Sequence, residues 1–228
     1  AVARGTNEEA ANYCKKDGDY EEFGEYENEQ GKRTEWDKYK EFVVDLGRVP
    51  SNREIITHNC SLYARYSKHC VEIAKAILEP PTLTASEPRL GWQTLCAGRV
   101  NGSVQNGANP RSIDFFVDPN GNSGKSWMCR WAMSKWPDKV QVLRVGKRDD
   151  LAHAIDETKS IFLFDIPRQQ MEYLQYSVLE MLKDQMVFSP KYHSMTKILS
   201  TVPHVAVFCN EAPDMEKMTH DRYNVIDV

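Results

Sequence analysis

A glycine-rich loop in the middle of the chain carries residue types that bind phosphate. Residues 118–126 read D-P-N-G-N-S-G-K-S and lie between an apolar run and an amphipathic segment. In such a loop, backbone N–H groups hold a phosphate, Lys125 reaches the terminal phosphates of a nucleotide and the Ser126 hydroxyl binds Mg²⁺. The expected nucleotide-binding residues are Gly121, Asn122, Ser123, Gly124, Lys125 and Ser126.

The loop departs from the usual phosphate-binding pattern at one position. Pro119 stands where the pattern G-x-x-x-x-G-K-[ST] has its first glycine. A surface turn with a chance G-K-S is the alternative interpretation. The strand expected before the loop and the helix expected after it favour the phosphate site.

Polar residues follow two later apolar runs. Asp165 ends the run I-F-L-F-D, where a carboxylate would lie beside the Mg²⁺ of a bound nucleotide, although a purely structural strand would look the same. Asn210 follows the run 204–208 and would orient the attacking water, unless it only forms a turn. Arg222, in the segment D-R-Y, is either a surface charge or an arginine that reaches the phosphates of a neighbouring subunit.

A predicted hairpin separates those two runs. Residues 186–193 read M-V-F-S-P-K-Y-H, two β-prone stretches joined by a Ser-Pro turn. Lys191, Tyr192 and His193 at its tip suit the backbone and bases of single-stranded DNA, and an ordinary exposed lysine is the alternative.

The elements that position these residues alternate along the second half of the chain. Mostly apolar strands indicate a sheet that is buried on both faces, and helical periodicity between them predicts an α/β fold. Strands are predicted at 113–117, 140–145, 161–164 and 205–208, and helices at 125–133 and 171–182.

The first half of the chain predicts two further regions. Residues 1–33 are polar and acidic, as in a linker, and residues 34–95 are expected to form a small helical domain before a sheet domain at 96–228. Thr34 with Asp37 and Ser51 with Glu54 match capping boxes that open helices.

Composition narrows the class of protein. The chain of 228 residues is 41% apolar and 27% charged, without an apolar run near the roughly 20 residues of a membrane span, so we expect no membrane partner. A net charge of -4 argues against a duplex-reading protein. The first residue is Ala1, which we interpret as an internal start within a longer protein.

Together these motifs resemble the superfamily 3 helicase domain of replication-associated (Rep) proteins from circular single-stranded DNA viruses. The resemblance covers nearly the whole chain. It is carried by G-N-S-G-K-S at 121–126, F-D-I-P-R at 164–168, S-P-K-Y at 189–192, H-V-A-V-F-C-N at 204–210 and D-R-Y at 221–223.

The resemblance implies a P-loop AAA+ ATPase that binds ATP and Mg²⁺ and moves along single-stranded DNA. It implies a homo-oligomer, a hexameric ring with the helical domain as its collar, in the host nucleus. Carried over by position, Lys125, Ser126 and Asp165 would hold MgATP, Asn210 would be the sensor, Arg222 the finger acting on the adjacent subunit, and Lys191 the DNA contact.

The first residues resemble the end of an HUH endonuclease, the nicking domain that precedes the helicase in this family. Tyr13, in the motif Tyr-x-x-Lys with Lys16, would be the nucleophile that attacks a DNA phosphodiester. The two-histidine metal motif that must accompany it is absent from this sequence. Nicking is therefore expected only of a longer protein, which would also need a divalent metal.

One position departs from related helicases and leaves alternatives open. Ile166 stands where many of them have a second acid that activates water, a role that Glu180 or a water network would have to take. A nucleotide-binding oligomerisation scaffold without efficient turnover is the first alternative. A P-loop kinase or GTPase of another class is the second.

Overall fold

The computed structural model describes residues 12–16, 18, 21, 34–78 and 83–228. The chain divides into two compact units, Ala1–Pro81 and Thr82–Val228. We refer to them as the helical unit and the sheet unit.

The helical unit contains helices α1 (Glu35–Leu46), α2 (Asn52–His58) and α3 (Cys60–Ile77). Both predicted capping boxes are confirmed, because Thr34 and Ser51 accept hydrogen bonds from backbone N–H groups three residues later. The third helix is capped by Asn59, which accepts from Leu62 N at 2.9 Å. The fully buried core of this unit consists of Tyr39, Val43, Ile55, Leu62, Cys70 and Ala74.

The sheet unit is built on a parallel sheet with strand order β2-β3-β6-β1-β7. The strands are β1 (Ile113–Val117), β2 (Val140–Leu143), β3 (Ile161–Asp165), β6 (His204–Cys209) and β7 (Tyr223–Asp227). A separate antiparallel hairpin is formed by β4 (Met186–Ser189) and β5 (Met195–Ile198), which confirms a hairpin here, but its second strand begins after the predicted range 186–193. The helices are α4 (Trp92–Asn106), α5 (Lys125–Lys135), α6 (Arg148–Ala154) and α7 (Tyr176–Lys183).

Helices cover both faces of this sheet, as the apolar strands predict. Successive residues of β1 alternate between the two cores: Phe115 packs with residues of α6 and α7, and Phe116 packs with residues of α4 and α5. The α/β fold class with a smaller helical unit is therefore confirmed. The predicted helix 171–182 is instead a short 3₁₀ turn (Met171–Tyr173) followed by α7, because Leu174 between them has extended backbone angles.

The predicted boundary between residues 95 and 96 is wrong. It falls inside α4, whose buried residues Gln93, Cys96 and Val100 belong to the sheet unit. Cys96 and Val100 pack against the same core as Phe116, so this helix cannot be separated from the sheet without exposing that core.

The last strand, β7, was not predicted. It pairs in parallel with β1 at the edge of the sheet, and its residues are only partly buried, so the sequence lacks the apolar run that marks the inner strands. No helix in the described part of the chain has both the length and the apolar character needed to cross a membrane.

Candidate nucleotide site

Three polar residues, two of them predicted as site residues, lie at one edge of the sheet. Asp118 follows β1, Asp165 ends β3 and Asn210 follows β6, and these three strands are neighbours and parallel. Their carboxyl ends therefore lie side by side, which is where ligands bind in open α/β sheets.

The loop after β1 has a backbone that leads directly into α5. Gly121, Asn122 and Gly124 have positive φ values of 77°, 66° and 93°. The buried Asp118 side chain fixes the turn from inside, since it accepts hydrogen bonds from Gly121 N at 2.6 Å and from Ser123 N at 3.2 Å. This arrangement forms a preorganised turn at a helix N-terminus, the geometry that binds phosphate.

Lys125 is held at the start of α5 by an ion pair. Its Nζ donates to Asp118 Oδ2 at 2.9 Å, and both side chains are almost entirely buried. Burial alone would raise the pKa of the Asp118 carboxyl, but hydrogen bonds from Ser123, Lys125 and Gly121 outweigh it and keep that pKa well below its usual range. The carboxylate is thus ionised and orients the lysine.

Ser126 and Asp165 provide adjacent oxygen atoms. Ser126 Oγ donates to Asp165 Oδ1 at 3.0 Å, and Arg144 Nη2 lies 3.9 Å from Asp165 Oδ2. A hydroxyl and a carboxylate are ligands that suit Mg²⁺, which normally completes its shell with water and phosphate oxygens. Within the described residues no group of three or more His, Cys, Asp or Glu side chains is arranged to hold a metal ion. The hydroxyl and the carboxylate fit a metal whose other ligands are the water and phosphate oxygens of a bound nucleotide.

A cavity of about 470 Å³ brings the predicted residues together. Its lining includes most of the loop, together with Asp165, Ile166 and Asn210. Asn210 Nδ2 donates to the backbone oxygen of Asp118 at 2.6 Å, so the residue predicted as the sensor is tied to the base of the phosphate loop.

Sequence reasoning gave no role to two residues that contact this loop. Gln93, 2% exposed, donates from Nε2 to Ser123 O at 2.9 Å and accepts from Arg89 N at 2.9 Å. It lies so close to Gly124 that a Cβ there would be 2.7 Å from Gln93 Nε2. Arg168, in the segment F-D-I-P-R, donates to Asn120 O at 2.5 Å and lines the cavity. No local pattern marks Gln93, since its loop partner lies 30 residues away.

Comparison with known proteins decides the family. "Para-Rep C1" of Milk vetch dwarf C1 alphasatellite is 30% identical over 99% of this chain, and the match spans 75% of that protein. The chain belongs to the Rep family of single-stranded DNA viruses. A "Master replication protein" of Faba bean necrotic yellows virus is also 30% identical to this Rep chain, over 96% of the chain and 74% of the relative. A role in viral replication follows from these relatives.

Two other comparisons add nothing to that assignment. No family model matches this Rep chain. Among solved structures, the NrS-1 C-terminal region covers 66% of the chain with 11% identity and a TM-score of 0.37, and it matches over 41% of its own length. That likeness is too low to support a functional argument.

Within this Rep chain Arg222 is not presented at the surface, and its role as a finger that reaches a neighbouring subunit stays a prediction. The side chain of Arg222 is 8% exposed and pairs with Asp184 at 3.1 Å and with Glu180 at 3.4 Å. The 3₁₀ turn His220–Arg222 directs the adjacent Asp221 outwards to Arg111 and turns Arg222 inwards. The same ion pair removes Glu180 as a source of water activation, because that carboxylate is engaged by Arg222 and does not line the cavity.

The hairpin residues predicted to bind DNA lie at its tip, between β4 and β5. Lys191 Nζ pairs with Asp150 Oδ1 at 2.5 Å and lies 5.4 Å from the centre of the Tyr192 ring. Tyr192 is 78% exposed with a φ of 60°, and His193 is also exposed. The tip therefore presents a cation and an aromatic ring, and DNA binding by these residues stays a prediction.

Tyr13, the predicted nuclease residue, lies in the short described segment 12–16. Its ring is 77% exposed, and its backbone oxygen accepts from Lys16 N at 3.3 Å. Exposure suits a nucleophile that must reach DNA, but nicking stays a prediction because its metal-binding partners are not in this sequence.

Proposed function

We propose that this Rep chain is an ATP-dependent DNA helicase. The observation that carries the proposal is the contact of Ser126 Oγ with Asp165 Oδ1, at 3.0 Å, at the mouth of a phosphate-binding loop. It joins the first residues of α5 to the end of β3, as a site for a metal-bound nucleotide requires.

Each residue of the site has a proposed part. Backbone N–H groups of residues 121–126 and the Lys125 ammonium would bind the phosphates of ATP, and Ser126 and Asp165 would hold Mg²⁺. When bound, Mg²⁺ neutralises charge on the phosphate oxygens. The Asn210 amide would orient the attacking water beside the terminal phosphate.

The proposal includes an assembly and a DNA path. A homo-oligomer, a hexamer by the resemblance, would place Lys191, Tyr192 and His193 of each copy on one strand of single-stranded DNA. The exposed Tyr192 ring, with the Lys191 ammonium 5.4 Å from its centre, supports this part, because such pairs bind phosphates and stack on bases. In a longer protein Tyr13 would nick and rejoin DNA, and the resemblance gives the host nucleus as the site of action.

A scaffold that binds ATP without efficient turnover is the second candidate. Ile166 favours it: this residue lines the cavity beside Asp165 and is 2% exposed, so no second acid stands at that position to activate water. Membership in the Rep family argues against the other alternative, an unrelated P-loop kinase or GTPase.

Strand displacement tests the proposed function. A labelled strand annealed to a longer one with a single-stranded tail is incubated with the chain and ATP, with a non-hydrolysable analogue, or with the Lys125→Ala variant. Displacement only with the wild type and ATP is expected. If the chain assembles into oligomers with ATP but displaces no strand and releases no phosphate, the helicase proposal is wrong and the scaffold is favoured.

A further inference from the structure

A tethered turn after β3 presents Arg168 to the nucleotide cavity. The turn is held on one side by Ile166 N, which donates to Phe208 O at 2.9 Å, and on the other by Gln169 N, which donates to Glu211 Oε1 at 3.1 Å. Gln169 has a φ of 58°, which fixes the sharp reversal of the chain directly after the arginine. Both tethers lead to β6 and the residue next to Asn210, so the arginine turn and the predicted sensor are parts of one connected structure.

The Arg168 guanidinium lies directly on the phosphate loop. Its Nη2 donates to Asn120 O at 2.5 Å, and the same nitrogen lies where a Cβ of residue 121 would stand. The guanidinium therefore occupies the space that the missing side chain of Gly121 leaves open, on the wall of the cavity that contains Lys125 and Ser126.

Arg168 differs from the other cations of this cavity in its partners. Lys125 pairs with Asp118, and Arg144 lies within 3.9 Å of Asp165. Among the described residues Arg168 has a single hydrogen-bond acceptor, a neutral backbone oxygen, and no carboxylate partner. A guanidinium has five N–H donors in a fork that matches phosphate oxygens, so most of its binding capacity is unused. Arg168 is exposed to solvent on the wall of this cavity, so its free N–H groups can reach a phosphate bound there.

We infer that Arg168 is a catalytic residue that contacts the terminal phosphate of ATP bound by its own chain. The inference rests on the proposed function. In hydrolysis the water oxygen bonds to the terminal phosphorus, the bond to the β–γ bridging oxygen breaks, and ADP, phosphate and a proton are released. Negative charge spreads over the terminal oxygens in the transition state, and an arginine there stabilises it. Arg168 fills this role in cis, because it lines the same cavity of its own chain as Lys125 and Ser126.

Three variants test this inference. Arg168→Ala is compared with Arg168→Lys, which keeps the charge but loses the fork, and with Arg130→Ala, an exposed arginine on α5 outside the cavity lining. We expect Arg168→Ala to lower kcat by roughly 10²- to 10³-fold. The lysine variant is expected to recover only part of that loss, and Arg130→Ala should match the wild type.

Nucleotide binding measured without hydrolysis distinguishes two roles of Arg168: contact with the terminal phosphate of ATP, and support of the phosphate loop. Affinities for ATP and ADP are measured by calorimetry in EDTA, so that no hydrolysis occurs. Arg168→Ala is expected to weaken ATP binding by roughly tenfold and to leave ADP binding unchanged, because ADP lacks the terminal phosphate. An equal loss of affinity for ATP and ADP would mean that Arg168 only supports Asn120, and the inference would be wrong.

The outcomes for the proposed function and for this inference are distinct. A wild-type chain that releases no phosphate overturns the proposed hydrolysis and this role with it. A wild-type chain that hydrolyses ATP, beside an Arg168→Ala variant within about threefold of its rate, overturns the role of Arg168 alone.

Discussion

Arg222 Nη2 donates to Asp184 Oδ1 at 3.1 Å, which joins the segment before β7 to the C-terminal end of α7. The arginine is buried, whereas the carboxylate is about half exposed. A residue in an apparently exposed, charged motif is thus buried directly before the edge strand β7. The loss of Arg222 is therefore expected to lower the stability of the fold before it affects a neighbouring subunit.

Replacement of Arg222 by alanine is expected to lower the free energy of unfolding by roughly 1–3 kcal/mol, because a buried cation with two carboxylate partners is lost. Urea unfolding followed by tryptophan fluorescence measures the change. Arg130→Ala is the control and should lie within about 0.5 kcal/mol of the wild type. An Arg222→Ala chain with wild-type stability but no ATP hydrolysis would restore the finger interpretation.

Gly121→Ala is expected to weaken nucleotide binding by more than about tenfold, because the new Cβ meets the Arg168 guanidinium and the residue must keep a φ of 77°. Gly98→Ala on α4 is the matched control: a Cβ there has no atom within 4 Å, and its φ lies outside the positive range. Calorimetric titration with ATP compares the two variants. Equal affinities would show that the loop does not bind the phosphates.

Lys191→Ala is expected to reduce the affinity for single-stranded DNA and abolish unwinding while most ATP hydrolysis remains. The plot of log affinity against log salt should become shallower by about 0.7 per lysine removed from a phosphate. Lys139→Ala, an exposed lysine outside the hairpin, serves as the control in fluorescence anisotropy titrations. Loss of both activities in Lys191→Ala would contradict this separation of roles.

The stability of the sheet unit is expected to fall in mild acid because of His204. Burial lowers the pKa of this histidine from 6.5 to about 4; Asp114 opposes the shift, and Lys183 and Arg99 add to it. At pH values between about 4 and 6.5, His204 is protonated in the unfolded chain but not in the folded chain. The free energy of unfolding therefore falls as the pH drops below about 6.5.

The His204→Gln variant isolates this effect from the other acidic groups. When the pH falls from near neutral to 5, the free energy of unfolding of the wild type should fall by about 2 kcal/mol more than that of the variant. This difference follows from the folded and unfolded pKa values of His204. Urea unfolding at both pH values gives the difference. Equal losses in the two proteins would show that His204 titrates normally in the folded state.

Features that depend on local sequence were predicted most accurately. The capping boxes at Thr34 and Ser51 and the inner strands are encoded within a few residues each, by side-chain hydrogen bonding to nearby backbone and by apolar runs. The turn before α5 was predicted for the same reason, since its glycines, Lys125 and Ser126 are contiguous, while its binding of phosphate stays a prediction.

Features that depend on distant partners were not predicted. Arg222 is buried because Glu180 and Asp184 approach it from α7, and nothing within its own segment reveals that direction. Gln93 and Arg168 reach the loop from segments 30 and 48 residues away, so their contacts depend on how α4 and the turn after β3 are placed beside the loop in the folded chain. The predicted domain boundary inside α4 was wrong for the same reason. The apolar face of α4 packs against a core whose other residues come much later in the chain.

ATP hydrolysis by the purified chain, with and without single-stranded DNA and beside the Lys125→Ala variant, tests the proposed motor most directly. We expect phosphate release by the wild type, stimulated by DNA, and none by the variant, because Lys125 is the cation at the base of the loop. Nucleotide binding without phosphate release in the wild type would contradict an ATP-driven helicase and leave a nucleotide-dependent scaffold.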